Sequence, residues 1–166
     1  MEAIVADTDH TFGRHMHDQY GIGLILRGAQ KSLSGRGVVE AQAGDIITVN
    51  PGEVHDGAPL GENGRAWQML YFDPAALAHA VIDLTEGVTE SADFSQPRMR
   101  DPVSATWFCS LFRAIANRHG GDSEIEAHEK LLLVLARLIT NDEPKAVRGT
   151  QNGISRVRDR IDDDPS

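Results

Sequence analysis

The chain has a single cysteine, Cys109, among its 166 residues. One thiol excludes an internal disulfide and suits a reducing cytoplasm. It lies in the apolar run "ATWFCSLFRAI", where it reads as a core filler. No apolar run approaches the ~20 residues that a membrane-spanning helix needs. The start, "MEAIVADTDH", has neither a basic segment nor an apolar one, so no signal peptide is read and no membrane partner is expected. Positive charge is also scarce: 16 basic residues stand against 25 acidic ones, a net charge of −9. Phosphate backbones repel such a surface, which argues against nucleic-acid binding by this chain alone. What is left is a folded cytoplasmic chain of one-domain size, long enough to bury a core.

What is present falls into two halves of different periodicity. From Thr11 to Phe72, "GIGLILR", "RGVVEAQ", "DIITVN" and "AWQMLYF" read as short strands. Turn-forming "LSGRG", "QAGD", "NPGE" and "GENGR" separate them. Asn63-Gly64 is a hairpin signal, because both central residues of a type I′ turn need positive φ. Strands this short and closely spaced predict a sandwich or a small barrel.

Beyond Phe72 the period becomes helical. Asp73-Pro74 and Asp101-Pro102 each offer an N-cap followed by proline at the first helical position. Leu77, Val81 and Leu84 share one face of the first helix, which Gly87 is expected to stop. The second carries Trp107, Phe108, Leu111, Phe112 and Ile115 and ends at Gly120-Gly121. Ser123 and Glu126 form a capping box for a third. There Ile125, His128, Leu132, Leu135 and Ile139 follow a 3-4-3-4 spacing, with Leu131, Val134 and Leu138 as a second apolar line. Either both lines are buried within the subunit or one is a subunit interface. The line from Ile125 to Ile139 is the expected homodimer contact. Residues 143–152 read as a linker, and 153–166 as the start of one more amphipathic helix on Ile154, Val157 and Ile161. The expected division is therefore a barrel over 1–95, a helical dimerisation segment over 96–142, then that linker and that truncated helix.

His15 and His17, in "RHMHDQYG", point to one face if the segment is extended. His55 follows in "NPGEVHDG", presented by a Pro51-Gly52 turn. Three imidazoles converging inside a small barrel can hold a divalent Zn, Ni, Fe or Mn ion. They can equally line a pocket. His10, His79, His119 and His128 have no comparable context.

These motifs resemble the two cupin motifs. Gly28 matches the end of the first, and Gly44, Gly52 and His55 match the second, with proline displaced to Pro51. The glutamate of the first motif should stand at Gly21 or Ile22, so the one anionic ligand is gone; the asparagine slot is Pro59. A closer resemblance covers nearly the whole chain. "F-x-R-H-x-H-D-x-Y-x-I-G", Phe12 to Gly23, together with "PGEVHDG", Pro51 to Gly57, is similar to the sensor domain of AraC-type transcription regulators. The resemblance implies a mainly β protein, a cupin double-stranded β-helix (jelly-roll) barrel followed by two to three α-helices. It also implies a small-molecule effector in the barrel, a homodimer, and DNA contacted only through a C-terminal helix-turn-helix domain that these residues do not contain. No cofactor is required by that role, and no enzyme activity is expected. The expected effector-lining residues are His15, His17, Tyr20 and His55 from the motifs, Arg27 from the end of the long strand, and Trp67, Met69 and Tyr71 at alternate positions. Arg27 would suit a carboxylate effector. The competing reading is a small metal-dependent cupin enzyme, a dioxygenase or isomerase, with His15, His17 and His55 as its metal ligands.

Overall fold

A computed structural model of the chain describes residues 1–89, 93–116 and 122–140. Strands β1 (Glu2–Thr8), β2 (Phe12–His15), β3 (Tyr20–Ser34), β4 (Gly37–Gln42), β5 (Ile46–Val49), β6 (His55–Pro59) and β7 (Arg65–Phe72) come first. Helix α1 (Pro74–Leu84), a short strand β8 (Arg98–Met99) and helices α2 (Pro102–Ala116) and α3 (Asp122–Thr140) follow. The described strand pairs are antiparallel, and they build a jelly roll carrying three helices.

β3 belongs to both sheets of the roll. Its first half pairs with β5 and β7, in a sheet that continues to β1 and β8. Its second half pairs with β4 and β6, and β6 carries β2. Between the halves the β3–β7 register slips between Ile25 and Arg27, which leaves Leu26 as an exposed bulge. Gly28 then takes a φ of +72°, and a Cβ there would lie 2.3 Å from the carbonyl oxygen of Gly64. Strands that change sheet do so at bulges and bends, and this bend admits only glycine.

Asn63-Gly64 does not make the expected hairpin, because β6 and β7 pair with other strands and not with each other. Gly64 is needed for a different reason: its own Cβ would stand 2.8 Å from the Thr8 carbonyl oxygen. β1 lies ahead of the first expected strand. Its alternation is blurred because Val5, on its outer face, is a large apolar residue left 65% exposed.

The outer face of the β1–β7–β3–β5 sheet packs on the helices. Tyr20, Ile22, Leu24, Ile46, Leu70 and Phe72 join Leu77 and Val81 of α1, Phe108, Leu111 and Ile115 of α2, and Leu131, Val134 and Leu138 of α3 in one core. Each large side chain so buried contributes about 1.5–3 kcal/mol. Cys109 and Trp107 sit partly buried against this core. α1 ends at Thr85, with Glu86 and Gly87 both at positive φ. Asp101 fixes the start of α2. Its carboxylate accepts from the Val103 amide and the Ser104 hydroxyl, and from Arg137 of α3 at 3.0 and 2.8 Å. The Ser104 hydroxyl is the largest influence holding this carboxyl below its ordinary pKa, with Arg137 adding to it.

The expected dimer line is not one exposed face. Leu135 is wholly buried inside the subunit, and Leu132 and Ile139 pack partly on the same core. His128 hydrogen-bonds Asp83 of α1, and Ile125 is exposed. The helix is curled against α1 and α2, so both apolar lines take part in intramolecular packing. The Gly120-Gly121 stop, the Ser123 side chain of the capping box, the linker and the last helix lie outside what is described. Among the described residues no helix is long and apolar enough to cross a membrane.

Replacing Gly28 with Ala should cost about 2 kcal/mol or more, through positive φ and overlap with Gly64. Asp101→Ala should cost about 1–2 kcal/mol as a lost cap. Urea denaturation measures both; an unchanged midpoint for Gly28→Ala would mean the corner can re-form without glycine.

Candidate functional site

Alternation along the strands sends one set of side chains between the two sheets. Ile4, Ala6, Ile47, Val49, Trp67, Met69 and Tyr71 come from one sheet and Gln30, Ser32, Val39, Ala41 and His55 from the other. Together with neighbouring groups they line a cavity of about 430 Å³. Gly21 and Gly23 shape its floor. A Cβ on Gly21 would meet the Met69 methyl at 2.6 Å, and one on Gly23 would meet the Met69 sulfur at 2.4 Å. Met69 therefore lies across β3 because that strand has no side chains there. The other parity of β7, Leu70 and Phe72, faces the helices.

His15 and His55 are cross-strand partners, and His17 follows on the loop after β2. Their rings form a triangle with centroids 4.4 Å (His15–His55), 5.0 Å (His15–His17) and 5.4 Å (His17–His55) apart. One ligand nitrogen from each lies within 4.8 Å of the others. Nδ1 of His15 is 2.7 Å from the Gly13 carbonyl and Nδ1 of His55 is 2.9 Å from the Glu53 carbonyl. In the tautomer that donates to these carbonyls, both Nε2 lone pairs are free for a ligand. Nε2 of His17 is buried with no hydrogen-bond partner, and its ring lies against Tyr71. Burial first, then the His55 and His15 charges, pushes the His17 pKa below the ordinary histidine value. It is neutral at pH 7, as a metal ligand must be.

Three converging imidazoles with an orphaned inward nitrogen fit a divalent first-row ion with open coordination positions. Among the described residues no carboxylate completes the set. The glutamate slot falls on Gly21, under Met69, or on Ile22, in the helical core. Glu53 is nearby in sequence, but its carboxylate accepts from Arg36 at 2.8 Å and from the Asn50 amide at 3.0 Å. Burial alone would raise the Glu53 pKa; Arg36, the Ser34 hydroxyl and the Asn50 amide outweigh it and hold the group below 4.5. Arg36 goes on to Thr48 and the Phe94 carbonyl, and Asn50 and Phe94 exchange two hydrogen bonds. This network straps the segment before β8 over the edge of β5.

Six of the eight expected lining residues meet in the cavity: His15, His17 and His55 at one end, with Tyr71, Met69 and Trp67 along one wall. Tyr20 does not reach it; the ring is buried against Phe94 in the helical core. Arg27 does not either. It pairs with Asp7 and the Asn63 carbonyl on the outer surface. The bulge at Leu26 is the reason. Upstream, Ile25 is paired with Trp67, but Arg27 is paired with Ala66, so the parity has flipped and its side chain leaves the cavity. Two cations line the cavity that the sequence did not single out: Arg36, which is paired with Glu53, and Arg65, only 1% exposed. A signal was present: Arg65 has the same parity as Trp67, Met69 and Tyr71, but it lies in "GENGR", which reads as a turn.

With this geometry in hand, comparison adds a family. A model of the AraC-like ligand binding domain matches residues 1–135. The chain belongs to that family. Among solved structures, an apo ToxT variant from Vibrio cholerae is similar with a TM-score of 0.57 at 11% identity, over 84% of this chain and 55% of that one. Oxalate decarboxylase from Bacillus subtilis gives 0.37 at 19% identity, over 53% of this chain and 28% of that one. KdgF from Halomonas gives 0.35 at 16% identity, over 42% and 65%. These likenesses concern the fold, and the chain spans only about half of ToxT and a quarter of the decarboxylase. No curated protein sequence matches it.

Zn²⁺ added to the AraC-like domain should bind at one ion per chain and raise its melting temperature, and His17→Ala should abolish both. Native mass spectrometry and thermal melts read these out; binding that survives His17→Ala would place the ion elsewhere. Glu53→Gln should destabilise at pH 7. The depressed Glu53 pKa means its stabilisation is present above 4.5 and fades as pH falls below it. The gap between the two melting temperatures should therefore narrow as the pH falls below about 4.5.

Proposed function

We propose that this AraC-like domain is the sensing and dimerising part of a cytoplasmic transcription regulator. A small-molecule effector binds in the cavity, and the helices carry the result onward. DNA is contacted, in this reading, through a helix-turn-helix domain outside these residues, since a chain with a net charge of −9 repels the phosphate backbone. The observation that carries the reading is the two-sided β7. Trp67, Met69 and Tyr71 face the cavity while Leu70 and Phe72 pack on the helices. A ligand that moves Met69 or Tyr71 presses through one strand on α1, α2 and α3. To shift the balance between two helix arrangements it needs only a few kcal/mol of differential binding.

Homodimerisation uses the margin of α3 that carries exposed Ile125 with half-buried Leu132 and Ile139. Leu135 does not take part, being inside the subunit.

The enzyme reading rests on one feature, the histidine triangle with its orphaned nitrogen. A bound divalent ion would supply a Lewis acid or an anchoring point for an effector oxygen. The surroundings favour anchoring over catalysis. Glu53 is held by Arg36, and Asp56 accepts from the Leu33 amide, so neither carboxylate is placed as a general base.

A thermal-shift screen of small metabolites should yield ligands whose stabilisation disappears in Val49→Trp, which fills the cavity from β5. Stabilisation that persists in that variant would put the binding site outside the roll. Ile125→Glu, on an exposed position, should weaken self-association by tenfold or more in sedimentation equilibrium (about 1.4 kcal/mol) while leaving the monomer's melting temperature unchanged.

A further inference from the structure

Among the described residues the buried guanidinium of Arg65 has no acidic partner, and this points to a class of ligand. Arg65 is among the largest fully buried side chains of the protein. Its Nε donates to Gln30 Oε1 at 3.0 Å, Nη1 to the His10 carbonyl at 3.0 Å and Nη2 to the Gly57 carbonyl at 3.2 Å. An arginine carries five N–H donors. Three are used, and one on each terminal nitrogen remains. All three acceptors are neutral, so the charge itself is uncompensated. The Trp67 ring lies 4.8 Å from the guanidinium carbon and the Phe12 ring 5.6 Å. These rings fix its plane and exclude water from its faces.

The other charged groups around the cavity are committed elsewhere. Arg36 and Glu53 neutralise each other, with both side chains largely buried. Asp56, next to Gly57 in β6, also borders the cavity, but its carboxylate accepts from the Leu33 amide at 2.7 Å and makes no ion pair with Arg65 among the described residues. The histidine triangle stands at the far end of β7, against Tyr71. Arg65 and Tyr71 are six residues apart on that strand, about 20 Å at the usual rise. Between them the wall along β1, β4, β5 and β7 is aliphatic or thioether, with Ala6, Val39, Ala41, Ile47 and Met69, and Ser32 and Ser34 of β3 are the polar groups of the facing wall.

We propose that the effector is a small organic carboxylate, its anionic head held by the two spare N–H groups of Arg65 and its apolar body lying along Met69 toward the histidines. This rests on the sensing reading above and narrows it. A buried, pre-oriented guanidinium is a costly group to leave unpaired, and a carboxylate oxygen on each terminal nitrogen completes it. The cavity volume of about 430 Å³ accommodates a body the size of a phenylalkyl or medium-length alkyl chain.

The test uses the whole 166-residue chain, freed of metal with EDTA so that the histidines cannot capture the acid through an ion. Calorimetry compares 4-phenylbutyrate and decanoate with their primary amides. The acids should bind about tenfold or more tightly than the amides. Arg65→Gln should remove that preference, and Arg65→Lys should keep part of it. If Arg65→Gln does not fold, the acid–amide comparison on the unaltered chain still decides. Equal affinity of acid and amide overturns the proposal, and so does a preference that survives Arg65→Gln. Neutral ligands that bind and lose affinity in Val49→Trp, with no carboxylate binding, would overturn the proposal while leaving the sensing role intact. If no small molecule of either kind binds at millimolar concentration, both fall.

Discussion

The arrangement depends on a place where backbones meet with no side chains between them. Gly28 of β3 lies against the Gly64 carbonyl, and Gly64 lies against the Thr8 carbonyl. A β-carbon at either glycine would force the strands apart. With the contact made, one long strand can serve two sheets, its first half backed by helices and its second half closing the roll. The bulge at Leu26 belongs to the same corner. By adding a residue it reverses which side chains of β3 face inward, and so decides that Arg27 goes to solvent while Gly28 sits opposite Arg65. The polar content of the cavity is thus set by a backbone irregularity.

From that corner follows a wall that is busy on both sides. β7 places ligand-facing and helix-facing residues at successive positions, so no layer of inert packing separates the cavity from the helical core. Close-packed interiors do not absorb a displaced side chain locally. Met69 has the most freedom, since it lies over glycines and can change rotamer without moving the backbone of β3. Tyr71 has less. It is fixed between the His17 ring and the sheet, where burial and then the Glu2 charge hold its phenol pKa above the ordinary value. An effector that displaces Met69 changes the cavity; one that displaces Tyr71 also moves the strand and the helices on it.

Periodic features were legible in the sequence because they repeat. The alternation of "AWQMLYF" survives folding unchanged, as do the apolar faces of the three helices and the same-side placement of His15 and His17. What was not legible depends on contacts between distant segments. A bulge leaves no mark in a run such as "GIGLILR", so the parity of Arg27 could not be followed through it. Asn63-Gly64 has hairpin composition, but its glycine answers to Thr8, more than 50 positions earlier. Leu135 belongs to the expected interface line by spacing alone. Only the packing of α1 and α2 around α3 shows that this side of the helix is already covered.

The missing glutamate and the apolar floor are one fact seen twice. In the cupin pattern that the motifs resemble, a carboxylate at Gly21 or Ile22 would stand beside the histidines. Here Gly21 leaves that space to the Met69 methyl, since even a β-carbon would come within 2.6 Å of it. A thioether cannot neutralise a divalent ion or take up a proton, so the histidines keep a capacity to coordinate with no anionic ligand in that slot. The same exchange leaves Arg65 without a competing negative charge along the aliphatic stretch between it and the triangle. The cavity thus carries a buried cation at one end and a coordinating triangle at the other, with the apolar face of β7 between them. It is well arranged to retain an amphipathic anion and let the position of that anion be felt through β7.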